Sequence, residues 1–171
     1  KCIFKKVSIQ LYKNFGKSAA LSEGFKLVKG MYVVTIDADL QDDPKEIPNL
    51  VTKLETGYDL VSGWKIDRQD PWTKTLPSKI FNFITRILTG VKIHDFNCGL
   101  KIYRKSVVKA LDIYGGLHRF IPALASQKHF RITEIPVKHY PRKYGISKYG
   151  GNRLLHGFFD LITILFFDRY I

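Results

Sequence analysis

Cysteine is nearly missing from this chain: among 171 residues only Cys2 and Cys98 carry thiols. Two thiols build no disulfide framework, and neither stands in a Cys-x-x-Cys or zinc-like spacing. A disulfide-dense secreted scaffold is therefore excluded, and a reducing compartment is expected. The histidines His94, His118, His129, His139 and His156 are scattered, which speaks against a zinc site. No signal-peptide pattern stands at the start. Long apolar runs are lacking too. The most apolar stretch, Leu154 to Phe167, is broken by His156, Gly157 and Asp160 and falls short of the roughly 20 residues that a bilayer span needs. Acidic residues are outnumbered, 15 against 28 basic, for a net charge of +13. Such an excess says little about fold but predicts attraction to polyanions: nucleic acid, anionic headgroups or phosphorylated substrates.

What is present is enough apolar material, 45% of the residues, for one domain with a real core. Val7 to Leu11 reads as a strand at the very start, so the chain reads as a fragment of something longer. Ala20, Leu21, Gly24, Leu27 and Val28 share one helical face, and Gly30 is placed to stop that helix. Met31 to Ile36 is an apolar run of strand length, which would complete a right-handed strand–helix–strand unit. Pro44 opens a second helix with Ile47, Leu50, Val51 and Leu54 at i, i+3, i+4, i+7. A short strand at 59–63 and an amphipathic helix at 72–89 follow. Then come a strand at 99–103, helices at 106–111 and 120–127, and a β-like segment at 130–140. A basic, glycine-punctuated loop spans 142–151, and the last twenty residues read as helical. The strand–helix–strand pattern predicts an α/β fold with parallel strands. The expected division is a core over 1–150 and an amphipathic, membrane-proximal helix over 151–171.

The most informative stretch is Asp37-Ala38-Asp39-Leu40-Gln41-Asp42-Asp43-Pro44, at the end of the buried-strand pattern. Carboxylates spaced i, i+2 at the C-terminal end of a parallel strand sit where open α/β sheets bind ligands. Asp37 and Asp39, with the Gln41 amide as a third oxygen, suit a hard cation such as Mg²⁺ or Mn²⁺. An acidic turn leading into a helix explains the same residues, because Asp43-Pro44 is a good N-cap followed by Pro at the first helical position.

Five segments occur in a recognisable order. They are Asn14-Phe15-Gly16-Lys17, the acidic stretch above, Asn97-Cys98-Gly99-Leu100-Lys101, His118-Arg119-Phe120-Ile121-Pro122-Ala123-Leu124, and Pro141-Arg142 followed by Gly145 and Ser147-Lys148-Tyr149. Together they resemble the polyprenyl-phosphate glycosyltransferases of glycosyltransferase family 2, similar to dolichol-phosphate mannosyltransferase and its undecaprenyl-phosphate relatives. The resemblance covers nearly the whole chain. Two stretches typical of that family, Pro-x-Tyr-Asn-Glu and Val-Asp-Asp-Gly-Ser, which hold the nucleotide, are not present. The expectation that follows is weak or no turnover by these 171 residues alone.

The resemblance implies a GT-A fold, a mostly parallel sheet flanked by helices and partial at its N-terminal side, with Asp37, Asp39 and Gln41 holding the cation. It implies inverting transfer of one sugar from a nucleotide-sugar donor to a polyprenyl-phosphate acceptor at the cytoplasmic face of a membrane. Arg142 and Lys148 match positions that grip the donor diphosphate, and Lys17 matches one near the nucleotide phosphates. Lys65, Lys74 and Ser78 match positions that receive the lipid phosphate, where Lys stands in place of the family's frequent Arg. Asp95 matches an acidic position near the sugar and, with Asp39, is the expected catalytic residue, with an Asx turn capping that loop as the alternative. Arg119 matches a diphosphate or sugar contact, against a structural ion pair. The 72–89 stripe and the aromatic-rich last helix suit an interfacial membrane position as well as a core. Two other readings stand beside this one. A family-2 transferase acting on a non-lipid acceptor usually carries Gln-x-x-Arg-Trp, which is missing; a basic nucleic-acid module is permitted by charge but has no supporting motif.

Overall fold

The computed structural model describes residues 6–66, 72–141 and 153–170; the side chains of 72–75, 153–156 and 167–170 lie outside that description. Four strands form one sheet: β1 (Tyr32–Thr35), β2 (Leu60–Lys65), β3 (Lys101–Arg104) and β4 (Ile132–Val137), in the order β1-β3-β2-β4. β3 is antiparallel to both β1 and β2, while β2 and β4 are parallel. Three of the four strands therefore run one way, and β3 is the reversed member between two of them. The expected α/β sheet flanked by helices is present as a mixed sheet. The strand expected at 7–11 is not there. Those residues form no regular element and are largely exposed, so the first strand–helix–strand unit does not form among the described residues. No described strand pairs with them to supply the backbone hydrogen bonds that a strand requires.

The helices are α1 (Lys17–Leu27), α2 (Ile47–Glu55), α3 (Trp72–Thr89), α4 (Lys105–Ala110), α5 (Ile121–Gln127) and α6 (Arg153–Tyr170). α1 stops at Leu27, three residues before Gly30, because Val28 already adopts an extended conformation. A single 3₁₀ turn at Pro44–Glu46 starts the second helical segment, with the Asp43 side chain accepting from the Lys45 N–H as the N-cap pattern predicts.

Strand alternation sends side chains to two separate cores. On one face Val33, Leu60 and Tyr103 pack with Phe25 of α1, Val107 and Val108 of α4, Ile121 of α5, and Leu161 and Ile164 of α6. On the other, Val61, Ile102 and Val137 pack against Leu50 and Leu54 of α2. Because β1, β2 and β4 point the same way, their C-terminal ends and the N-terminal end of β3 meet along one edge. That edge carries Asp37, Lys65, His139 and the 95–101 turn.

Candidate active site at the sheet edge

β1 ends at Thr35, and two residues later Asp37 emerges with its carboxylate 2.5 Å from Lys17 Nζ, at the start of α1. The same carboxylate lies flat against Gly99. A Cβ added there would fall 2.5 Å from Asp37 Cγ, so only glycine lets the 95–101 turn approach this closely. Thr35 fastens the turn from beneath by donating its hydroxyl to Gly99 O at 2.9 Å.

The acidic loop then folds back on itself. Leu40 takes a left-handed φ of 60°, a conformation that costs a non-glycine residue about 1–2 kcal/mol and persists only where its surroundings hold it. Asp39 Oδ1 accepts the Gln41 N–H at 3.3 Å across that bend. Gln41 is stitched to the segment after β4: its carbonyl accepts the Tyr140 N–H at 2.8 Å, and its Nε2 donates to Tyr140 O at 3.2 Å. Asp42 and His139 form an isolated antiparallel bridge beside it.

Four carboxylates (Asp37, Asp39, Asp42 and Asp95) and three ammonium groups (Lys17, Lys65 and Lys101) share this edge. Asp42 is 5% exposed, with Lys65 Nζ 3.7 Å and His139 Nδ1 3.4 Å from its Oδ1. Burial alone would raise the Asp42 pKa; His139 and Lys65 outweigh burial, and the carboxyl titrates below its ordinary range. Asp95 is buried and accepts the Asn97 N–H at 2.9 Å, the Asx turn that the sequence allowed. Lys101 is wholly buried in β3 and donates to Cys98 O. Burial lowers its pKa, opposed by Cys98 and Asp95. Burial likewise pushes the Cys98 thiol up to about 11, which makes it an inert packing group rather than a nucleophile.

The remaining sequence-predicted residues divide. Ser78 stands on α3 one turn before Asn82, which is buried and accepts from Asn97 Nδ2 at 3.5 Å, so that face of α3 abuts the Asp95 turn. Lys65, expected at the acceptor phosphate, has its Nζ 3.7 Å from Asp42 Oδ1. Arg119 reaches α6, where a Cβ on Gly157 would lie 3.3 Å from its Nη1. Its neighbour His118 is tied to Ser18 of α1, beside Lys17. The side chain of Lys74, and Arg142 and Lys148 entirely, lie outside the described residues. Asp42, His139 and Lys101 were missed. Asp42 was one acid among several in a row, and a scattered histidine and a strand lysine carry no spacing signal.

Among the described residues no three His, Cys, Asp or Glu side chains converge as a metal cage. What fits a cation here is a hard-oxygen set of two carboxylates and one amide. Asp37 is already seated against backbone at Gly99, and in this structure the Lys17 ammonium supplies its counter-charge.

The architecture is that of the GT-A-like α/β proteins. Glucosyl-3-phosphoglycerate synthase from Mycobacterium tuberculosis, in complex with Mn²⁺, UDP-glucose and phosphoglyceric acid, superposes with a TM-score of 0.65 at 18% identity, covering 93% of this chain and 56% of that one. Residues 6–112 match the model of glycosyl transferase family 2, and the chain belongs to that family. Dodecaprenyl-phosphate galacturonate synthase of Rhizobium johnstonii is 42% identical over 166 residues, 95% of this chain and 49% of the relative. Undecaprenyl-phosphate 4-deoxy-4-formamido-L-arabinose transferase of Edwardsiella ictaluri is 42% identical over 159 residues, 93% and 49% respectively. The chain thus spans about half the length of the curated relatives it matches.

Proposed function

We propose that this chain is the catalytic core of a transferase moving one sugar from a nucleotide-sugar to a polyprenyl phosphate, with inversion, at the cytoplasmic face of a membrane. The reading is supported by the sheet edge, where Asp37 lies against Gly99 of the 95–101 turn and Asp39 accepts the Gln41 N–H two residues on, in a chain 42% identical to a dodecaprenyl-phosphate galacturonate synthase and an undecaprenyl-phosphate 4-deoxy-4-formamido-L-arabinose transferase. Mg²⁺ or Mn²⁺ held by Asp37, Asp39 and Gln41 would neutralise the donor diphosphate as the sugar leaves. Lys17 exchanges from Asp37 to a phosphate oxygen when the donor enters, being only half-buried and a point charge on a flexible stem. Arg142 and Lys148 add a second cationic grip on the diphosphate. Asp95, with Asn97 locked behind it, faces the sugar. The acceptor phosphate is an anion at neutral pH and needs positioning rather than deprotonation; Lys74 and Ser78 supply that.

The membrane enters through α3 and α6, which pack together. Each buries one stripe and leaves a second bare: Leu76, Ile80, Phe83 and Ile87 on α3, and Phe158, Phe159, Ile162 and Phe166 on α6. Ile87 is 62% and Phe159 65% exposed, far more apolar surface than a water-facing helix pair tolerates. Lys79, Arg86 and Lys92 border it, the charge that anionic headgroups attract. No described helix is long and apolar enough to cross a bilayer, so this face lies on the surface in the proposal.

The test is a transfer assay on the protein that carries this chain, with a panel of nucleotide-sugars, undecaprenyl phosphate, and Mg²⁺ or Mn²⁺ present or chelated. Metal-dependent transfer is expected, and Asp39→Ala should lower it by about 10²-fold or more. Undiminished transfer by that variant removes the metal from the reaction.

A further inference from the structure

An amide holds a hard cation only through its oxygen, so Gln41 serves as a ligand only if turned the right way. Among the described residues four groups bear on how it is turned. Tyr140 O can only accept, and it sits 3.2 Å from Gln41 Nε2; the amide nitrogen must face it, and the oxygen points to the other side. The same Nε2 is 3.4 Å from His139 Nε2. An NH₂ group facing a ring nitrogen requires that nitrogen to be an acceptor, which places the imidazole proton on Nδ1. Nδ1 lies 3.4 Å from Asp42 Oδ1, and Lys65 Nζ stands 3.7 Å behind the same oxygen. Both Asp42 oxygens and His139 Nδ1 are buried and make no hydrogen bond of good geometry among the described residues. The approaches of His139 and Lys65 to Asp42 are therefore electrostatic contacts, at 3.4 and 3.7 Å. Polarity therefore runs one way: lysine cation, carboxylate, Nδ1–H imidazole, amide NH₂, backbone carbonyl.

Fastening two loops does not require this. Tyr140 N–H to Gln41 O and Tyr140 Oη to Asp43 Oδ2, at 2.8 and 3.0 Å, already join them. A buried carboxylate is a costly way to add a stitch, since its desolvation offsets most of what its partners return. Its distinctive effect is to set a tautomer, and through the tautomer an amide. The strained turn at Leu40, directly before Gln41, needs such outside support to persist.

We propose that Asp42 and His139 are positioning residues that hold the Gln41 amide with its oxygen toward a divalent cation bound at the 37–41 turn. This rests on the metal reading given above. It assigns a role to a buried acid and a buried histidine that the transfer chemistry itself does not use.

The experiment measures Mn²⁺ binding to the full 171-residue chain by calorimetry, without donor or acceptor. Asp42→Asn preserves volume but replaces the carboxylate with a neutral amide, a weaker acceptor that can present either its oxygen or its NH₂ to Nδ1, so the tautomer, and with it the Gln41 amide, is no longer fixed. Mn²⁺ affinity should fall 10- to 100-fold, the usual effect of losing an outer partner of a metal ligand. In a Gln41→Glu background the same change should cost less than threefold, because a carboxylate presents an oxygen whichever way it turns. Equal losses in both backgrounds mean a general structural role and overturn the proposal, as does an unchanged affinity for Asp42→Asn alone. Should Asp42→Asn fail to fold, ¹⁵N shifts of His139 in the unmodified chain decide the matter: protonated Nδ1 with bare Nε2 supports it, and the opposite tautomer sinks it. An unmodified chain that takes up no Mn²⁺ at millimolar concentration would instead defeat the metal reading beneath it.

Discussion

The sheet edge and the outer face of α3 and α6 are built by opposite rules, and each breaks the rule that stability alone would follow. At the edge, Asp42, Asp95 and Lys101 are buried where apolar groups would cost less. On the helices, Phe83, Ile87, Phe159 and Phe166 face outward where polar groups would be easier to hold in water. In the proposed function the buried charge gives a fixed electrostatic environment for an anionic substrate, and the exposed aromatics give a surface for a lipid headgroup layer. The polar edge is held by contacts within the chain, whereas the outer stripe of the apolar face stays exposed.

The sharpest way to break the comparison is Gly99→Ala. Its methyl group would sit 2.5 Å from Asp37 Cγ, so the carboxylate or the turn must move. Overpacking of this kind costs about 1–3 kcal/mol. Thermal melting should show that loss together with a fall in Mn²⁺ affinity, while vesicle binding stays unchanged. Phe159→Asp tests the other region. Withdrawing one inserted aromatic removes about 1.5–3 kcal/mol of burial, or tenfold and more in partitioning. Sedimentation with anionic vesicles should weaken by that factor, and the melting temperature should hold because Phe159 packs in neither core. A melting temperature that falls with vesicle binding would make α6 an ordinary packing helix. Leu40→Gly is the mildest change. It relieves the left-handed strain but adds freedom to the unfolded chain, two effects of about 1 kcal/mol and opposite sign. Stability measured by urea unfolding should therefore shift by less than about 1 kcal/mol.

The apolar face was the more legible of the two. A 3.6-residue period is written directly in the chain, and α3 runs over the predicted 72–89. The acidic stretch was visible as well, because Asp37, Asp39 and Gln41 are neighbours in sequence. What stayed hidden depends on distant segments: Asp42 meets His139 across 97 positions, and Gly99 is required by Asp37, 62 positions away. Gly63 is another such case, since a Cβ there would strike Val137 Cγ2 at 2.8 Å and Cys98 Sγ at 2.9 Å. The strand misread at 7–11 has the opposite cause. Its alternation satisfied a local pattern, yet no neighbouring strand pairs with it among the described residues.

The reversed strand β3 carries a consequence for how the chain comes together. β1 and β2 never touch each other in the sheet; β1 bonds to β3, which emerges about seventy residues later, and β2 bonds to β3, about forty residues later, and to β4, about seventy residues later. Before Lys101–Arg104 is present β1 and β2 share no ladder; that strand joins them, and β4, later still in the chain, then closes against β2. Assembly of the sheet therefore waits on contacts of high contact order, with the edges of β1 and β2 open to other chains until those partners are in place.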